Sequence, residues 1–158
     1  MAFGEKLHAD AAGDNSLGPY RLLASAETRS LPGLHVYYIH DFAVNGVFLG
    51  GTMCMIKETA RLRPVKGGID EPLPRVTSHE LGHAMGLPHR QDITNLMASG
   101  TTGTILNAAE VEIVRSHVMK ITGTMTVEEC EARVKDAKAK NDHDQADSLV
   151  HDLEQLPR

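Results

Sequence analysis

The residues best suited to chemistry stand together in one segment, His79-Glu80-Leu81-Gly82-His83-Ala84-Met85-Gly86-Leu87-Pro88-His89. On an α-helix, positions four apart differ by only about 40° in azimuth, because one turn holds 3.6 residues. His79 and His83 therefore project from one face and can bring two imidazoles to a single metal ion. Glu80 lies about 100° round from His79, close to that ion but not forced to bind it. It can act as the base that takes a proton from an activated water. A tetrahedral site needs its third ligand from another direction, which a continuous helix cannot supply at position 89. Gly86 accepts the left-handed conformation that ends many helices, so the chain can reverse and return His89 to the ion. Three neutral imidazoles leave one coordination position open, as a catalytic zinc site requires and a closed structural site does not. The residues thus predict one catalytic zinc ion (Zn2+) held by His79, His83 and His89, with Glu80 as the general base.

This segment resembles the long zinc-binding motif of the metzincin peptidases, HExxHxxGxxH, and within that clan it is most similar to the matrixins. Matrixins place a methionine eight residues after the third histidine, and Met97 stands at that spacing in Asn95-Leu96-Met97. Asp92 stands where matrixins also carry an aspartate. The likeness covers residues 73–119 and, more loosely, 34–59. It implies a zinc endopeptidase acting on a protein or peptide substrate, with Met97 and Gly86 as structural residues, Met97 in a turn beneath the metal. It also implies an edge strand that pairs with extended substrate, for which Val47–Gly51 is the candidate. The substrate-binding candidates are Val47, Phe48, Leu49 and Gly50 on one side and Ala98, Ser99 and Gly100 on the other. The resemblance further implies an apolar side chain just after the scissile bond, in a pocket walled by 98–106. The small residues there predict a roomy, mobile wall.

The chain departs from the family at several points. Ser99 stands where astacins and serralysins place an extra tyrosine ligand, and Ala98-Ser99-Gly100 replaces the proline-containing wall of matrixins. No cysteine-switch motif surrounds Cys54 or Cys130, which read as free thiols rather than a bridge. Two other functions share the same residues. One is a catalytically weak metzincin-fold binding protein acting through its C-terminal helices, against which the retention of Glu80 argues. The other is a hydrolase acting on a non-peptide amide.

The elements that must position these residues point to an α+β fold: a small mixed sheet packed on the zinc-binding helix, with a C-terminal helical subdomain. His35–Phe42 and Thr52–Thr59 read as strands, and Val47-Phe48-Leu49 as a short apolar run. Asn45-Gly46 is a strong turn dipeptide. In the second strand Met53 and Met55 share one face, and Cys54 and Ile56 the other. A helix is expected from Pro72–Pro74 to Met85, and an ordered loop over 87–106. Asn107 and Glu110 mark a capping box that opens a helix to about Met119, and Thr126 and Glu129 mark a second, opening one to about Lys140. A final helix covers roughly 144–156, with Ala146, Leu149, Val150, Leu153 and Leu156 in one stripe. Three parts follow: an arm with a short helix (residues 17–29) over 1–33, the catalytic domain over 34–123, and a helical hairpin over 124–158. Self-association through 124–156 is one role for the hairpin.

Composition excludes other classes. A net charge of −5 argues against nucleic acid and anionic membrane as partners, and 4 % aromatic residues give no platform for stacking bases. The first 15 residues lack the basic start and apolar stretch of a signal peptide, whereas the family resemblance implies an extracellular setting. Asp10, Asp14 and Asn15 do not have EF-hand spacing and read as polar surface. The remaining six histidines, His35, His40 and His117 among them, read as ordinary strand and helix residues.

Overall fold

The computed structural model describes residues 24–154. In chain order these form α1 (Ala26–Ser30), β1 (His35–Ile39), β2 (Gly46–Phe48), β3 (Met53–Lys57), α2 (Pro72–Ala84), α3 (Ala108–Val118), α4 (Val127–Ala139) and α5 (His143–Glu154). The class is α+β with a small mixed sheet. The arm over 1–16, including Asp10, Asp14 and Asn15, lies outside the described residues, as does Leu156. Among the described residues no helix is long and apolar enough to cross a membrane.

The sheet order is β1-β3-β2. β1 runs parallel to β3, with His35 opposite Met53 and Ile39 opposite Lys57. β2 runs antiparallel to β3, with Gly46 opposite Ile56 and Phe48 opposite Cys54. β3 is therefore central and β2 is an edge. The alternation expected along β3 is observed, and both of its faces are covered. Met53 and Met55 pack with Ala24 and Phe42, while Ile56 packs with Ala60 and Val76. Val76 belongs to α2, so the helix that carries His79 and His83 is fixed to the sheet by apolar burial.

Asn45-Gly46 is not the turn its sequence predicts. β3 lies between β1 and β2 in the sheet, so the two strands are not paired and no hairpin joins them. The Asn45 side chain is instead spent on a neighbouring loop: Nδ2 donates to the Arg61 carbonyl (2.7 Å) and Oδ1 accepts from the Arg61 N–H (3.2 Å). Gly46 opens β2 because there is no room for a side chain. A Cβ there would stand 2.6 Å from Val76 and 2.8 Å from a Glu80 carboxylate oxygen. The hairpin turn is Gly50-Gly51, whose φ values of 84° and 64° favour glycine.

The N-terminal boundary expected at residue 33 is also absent. α1 is a short helix capped by Ser25, whose Oγ accepts from the Thr28 N–H, and Ala24 just before it lies in the core with Phe42 and Met55. The chain divides instead into two compact units, Met1–Ile121 and Thr122–Arg158.

α2 begins where prolines in the first turn cost no hydrogen bond, and it ends at Met85. Gly86 follows with φ 86°, and the Leu87 N–H donates back to the Gly82 carbonyl (2.9 Å). α3 carries its predicted capping box at Asn107 and Glu110. In the second unit α4 carries the capping box at Thr126 and Glu129. Cys130, Val134 and Ala137 of α4 and Ala146 of α5 are buried, and Cys130 Sγ lies 3.7 Å from the Leu149 carbonyl. Val127, at the start of α4, is 46 % exposed. Asn141-Asp142 makes the turn between α4 and α5: Asn141 has φ 56°, and Asp142 accepts from the Gln145 N–H.

All three clustered histidines, and Glu80, belong to the first unit. A chain ending at Ile121 should therefore bind metal with the stoichiometry of the full chain. Metal analysis of the purified fragment, with circular dichroism as the control for folding, checks this; loss of metal from a folded fragment would contradict it.

Candidate metal centre

α2 places His79 and His83 on one face, as their spacing requires, with His79 buried and His83 half-buried. The turn at Gly86 brings back His89, which is exposed. His83 Nε2 lies 3.2 Å from His79 Nε2 and 3.1 Å from His89 Nε2. The three ligand atoms lie within 4.8 Å of one another, and among the described residues no other group of histidines, cysteines and carboxylates is arranged to hold a metal ion. Two of the rings are anchored from behind. His79 Nδ1 meets the Leu96 carbonyl at 2.8 Å, and His83 Nδ1 meets the Leu87 carbonyl at 2.7 Å. A carbonyl only accepts, so each Nδ1 carries the proton and each Nε2 presents a lone pair. The contact between His79 and His83 therefore holds no hydrogen and is repulsive unless a cation lies between the rings. A tetrahedral zinc ion with Zn–N of about 2.0–2.1 Å separates its ligand nitrogens by about 3.3–3.4 Å. The observed spacings are close to this, so the residues fit a divalent cation held by neutral imidazoles. The backbone carbonyls orient the rings, as outer partners of metal-bound histidines usually do.

Electrostatics favour the same state. Burial pushes His79 down to about 4; the Leu96 carbonyl opposes this, and Arg75 and the other two imidazoles add to it. Burial also lowers His83, with His89 adding to the effect. Glu80 is 6 % exposed, and burial pushes its carboxyl up to about 7. The Phe48 backbone and the charge of Arg75 both act in the opposite direction. Cys54 is pushed up to about 12 by burial and then by Glu80, which makes its thiol inert.

The centre lies in a cleft. A cavity of about 270 Å3 opens on one side, with Val44, Leu62, Arg75, Ser99 and Gly100 in its wall. A cavity of about 500 Å3 opens on the other, with Val47, Phe48 and Pro88 in its wall. Gly46, Glu80 and His89 line both. The edge strand β2 thus runs along the cleft. Leu49 and Gly50 line neither cavity: Leu49 packs on the core around Phe42 and Met55, and Gly50 makes the hairpin turn. Ser99 and Gly100 face the cleft, whereas Ala98 is buried at 3 % exposure. The wall is not the loose one its small residues predict. Thr101 pairs with Arg63, Thr102 donates to the Arg63 carbonyl, and Arg75 donates to the carbonyls of Ala98 and Gly103.

No family model matches this chain, and no curated protein or solved structure matches it either.

Met97 is fully buried. A Cβ on Gly82 would stand 2.6 Å from its Sδ, so the methionine packs against α2 at Gly82. What holds this turn was missed in the sequence, where Glu110 looked like a capping residue and nothing more. The Glu110 carboxylate is completely buried. It accepts from its own cap, Asn107 N–H (2.9 Å), from Asn95 Nδ2 (2.9 Å) and from Arg90 Nε. Asn95 Oδ1 in turn accepts from the Met97 N–H (2.7 Å), and the Arg90 N–H donates to the Met97 carbonyl (3.0 Å). One carboxylate thus ties together the residue after the third histidine, the turn that carries Met97 and the start of α3. Burial alone would raise its pKa, but these three donors outweigh burial and hold it below the usual carboxylate value.

Glu110→Ala removes the anchor and leaves Arg90, which is partly open to water, to be rehydrated. The expected loss of stability is about 2–3 kcal/mol, with roughly tenfold or more weaker metal binding. Urea denaturation and a chelator competition check both; a change under about 1 kcal/mol with unaltered metal affinity would contradict the assignment. A second expectation concerns pH. Because the folded Glu80 carboxyl is raised above its unfolded value, its favourable contribution is present below about 4.5 and is lost as pH rises through about 7. Metal-free Glu80→Gln should therefore gain stability relative to the metal-free wild type between pH 5 and 8, measured by denaturation in chelator. A constant difference across that range would refute it.

Proposed function

We propose that the protein is a zinc-dependent endopeptidase on the metzincin plan, most like the matrixins. The observation that carries this reading is the convergence of three imidazoles on an open cleft, with His83 Nε2 at 3.2 Å from that of His79 and 3.1 Å from that of His89, beside a buried carboxylate. Three nitrogen ligands with an open side suit zinc better than the hard cations, which prefer oxygen. Zinc held there would supply Lewis acidity, polarising a carbonyl oxygen and making a water acidic near neutral pH.

The chain's own residues supply the rest. Glu80, with its carboxyl raised toward neutrality, can take a proton on a carboxylate oxygen and return it to the leaving amine. The outer edge of β2 offers backbone groups to an extended protein or peptide substrate, which would add to the sheet as a further strand. Val47 and Phe48 would line one side of its path, and Ser99 and Gly100 the other.

Glu80→Ala should keep one zinc per chain and lose chelator-sensitive hydrolysis of a denatured protein by more than about a hundredfold, whereas His89→Ala should lose the zinc. Zinc-loaded wild-type protein that cleaves no denatured protein would overturn the endopeptidase reading. Activity of Glu80→Ala near that of the wild type would overturn its role as the base.

A further inference from the structure

Arg75 is a charged side chain buried where substrate would lie. It precedes His79 by one turn of α2, is only 2 % exposed, and lines the smaller cavity. Nε donates to the Gly103 carbonyl at 2.8 Å, and Nη2 donates to the Ala98 carbonyl at 2.6 Å. Both acceptors are neutral, and Nη1 has no protein acceptor among the described residues. The described ion pairs likewise include no carboxylate partner for this guanidinium. A guanidinium stays charged in a protein, and a buried charge without a counter-ion is strongly unfavourable. Glu110, a carboxylate of comparable burial in this unit, is by contrast paired with Arg90.

Glu80 is the one acid in the wall of that cavity, and its field is felt at Arg75. With a divalent cation on the three imidazoles, Glu80 cannot balance both positive centres. The cleft then carries net positive charge, although the chain as a whole carries −5.

We propose that Arg75 makes this cavity a receptor for a carboxylate side chain, so that the preferred substrates carry Glu or Asp just after the scissile bond. The inference rests on the endopeptidase reading, in which the cavity walled by Ser99 and Gly100 takes that residue. It replaces the apolar preference implied by the matrixin resemblance, because the wall contains a guanidinium with a donor to spare. The competing role is a strut: Arg75 ties the 98–103 segment to α2 and meets no substrate.

The test uses the full zinc-loaded chain and a peptide series that differs only in the residue after the cut, as Glu, Asp, Gln or Leu. Glu should exceed Gln in kcat/KM by about tenfold or more, since the site is built to pair a charge that Gln lacks. The ratio should persist in Arg75→Lys and fall toward one in Arg75→Gln, with melting temperatures as the control for folding. Should Arg75→Gln not fold, the wild type and Arg75→Lys decide. Leu preferred over Glu, Glu no better than Gln, or a ratio that survives in folded Arg75→Gln would each overturn the proposal. If no peptide is cut, the endopeptidase reading fails separately, and calorimetry on zinc-loaded Glu80→Gln decides for Arg75. Tighter binding of the Glu peptide than of the Gln peptide supports the receptor, and equal binding overturns it.

Discussion

Two unprotonated imidazole nitrogens, 3.2 Å apart and facing each other, constrain the whole first unit. Left alone they would repel, and the rings would turn or take up a proton. They are prevented from turning by backbone carbonyls at Leu96 and Leu87, which hold the opposite nitrogens. They are prevented from protonating by burial, which lowers both pKa values. The fold thus holds a cluster arranged to suit a cation. Binding at such a site is coupled to folding, because the ligands converge only in the folded chain.

Holding the cluster is a problem of anchoring a loop, because the residues after α2 form no regular element up to α3. The solution is a buried carboxylate rather than a larger apolar core. Glu110 accepts hydrogen bonds from Arg90, Asn95 and its own cap at Asn107. A charge so placed is favourable only while its donors stay in position, so the network is all-or-none. Arg75 does a similar service at the far end of the loop, where it gathers the carbonyls of Ala98 and Gly103. The small residues of this segment allow close packing, which is why a stretch rich in glycine and threonine is buried at Thr101 and Thr102.

What was legible in the sequence was local. The spacing of His79 and His83, the reversal at Gly86 and the caps at Asn107 and Thr126 depend on one turn of chain, and each is where the pattern placed it. What depended on partners far along the chain was not legible. Asn45-Gly46 has the composition of a hairpin turn, yet β3 inserts between β1 and β2 and Arg61 captures the asparagine. Glu110 announced itself as a cap, but its bonds to Arg90 and Asn95 lie 20 and 15 residues away. Position places Ala98 and Leu49 along the cleft, but Ala98 is buried and the half-buried Leu49 packs on the core around Phe42.

The central claim, that three imidazoles share one zinc ion and leave one side open, is tested most directly by X-ray absorption at the zinc edge of the loaded protein in solution. The account predicts four light-atom neighbours at about 2.0–2.1 Å, with outer-shell scattering that requires three imidazole rings. A first shell containing sulfur at about 2.3 Å, or scattering from fewer than three rings, would contradict it.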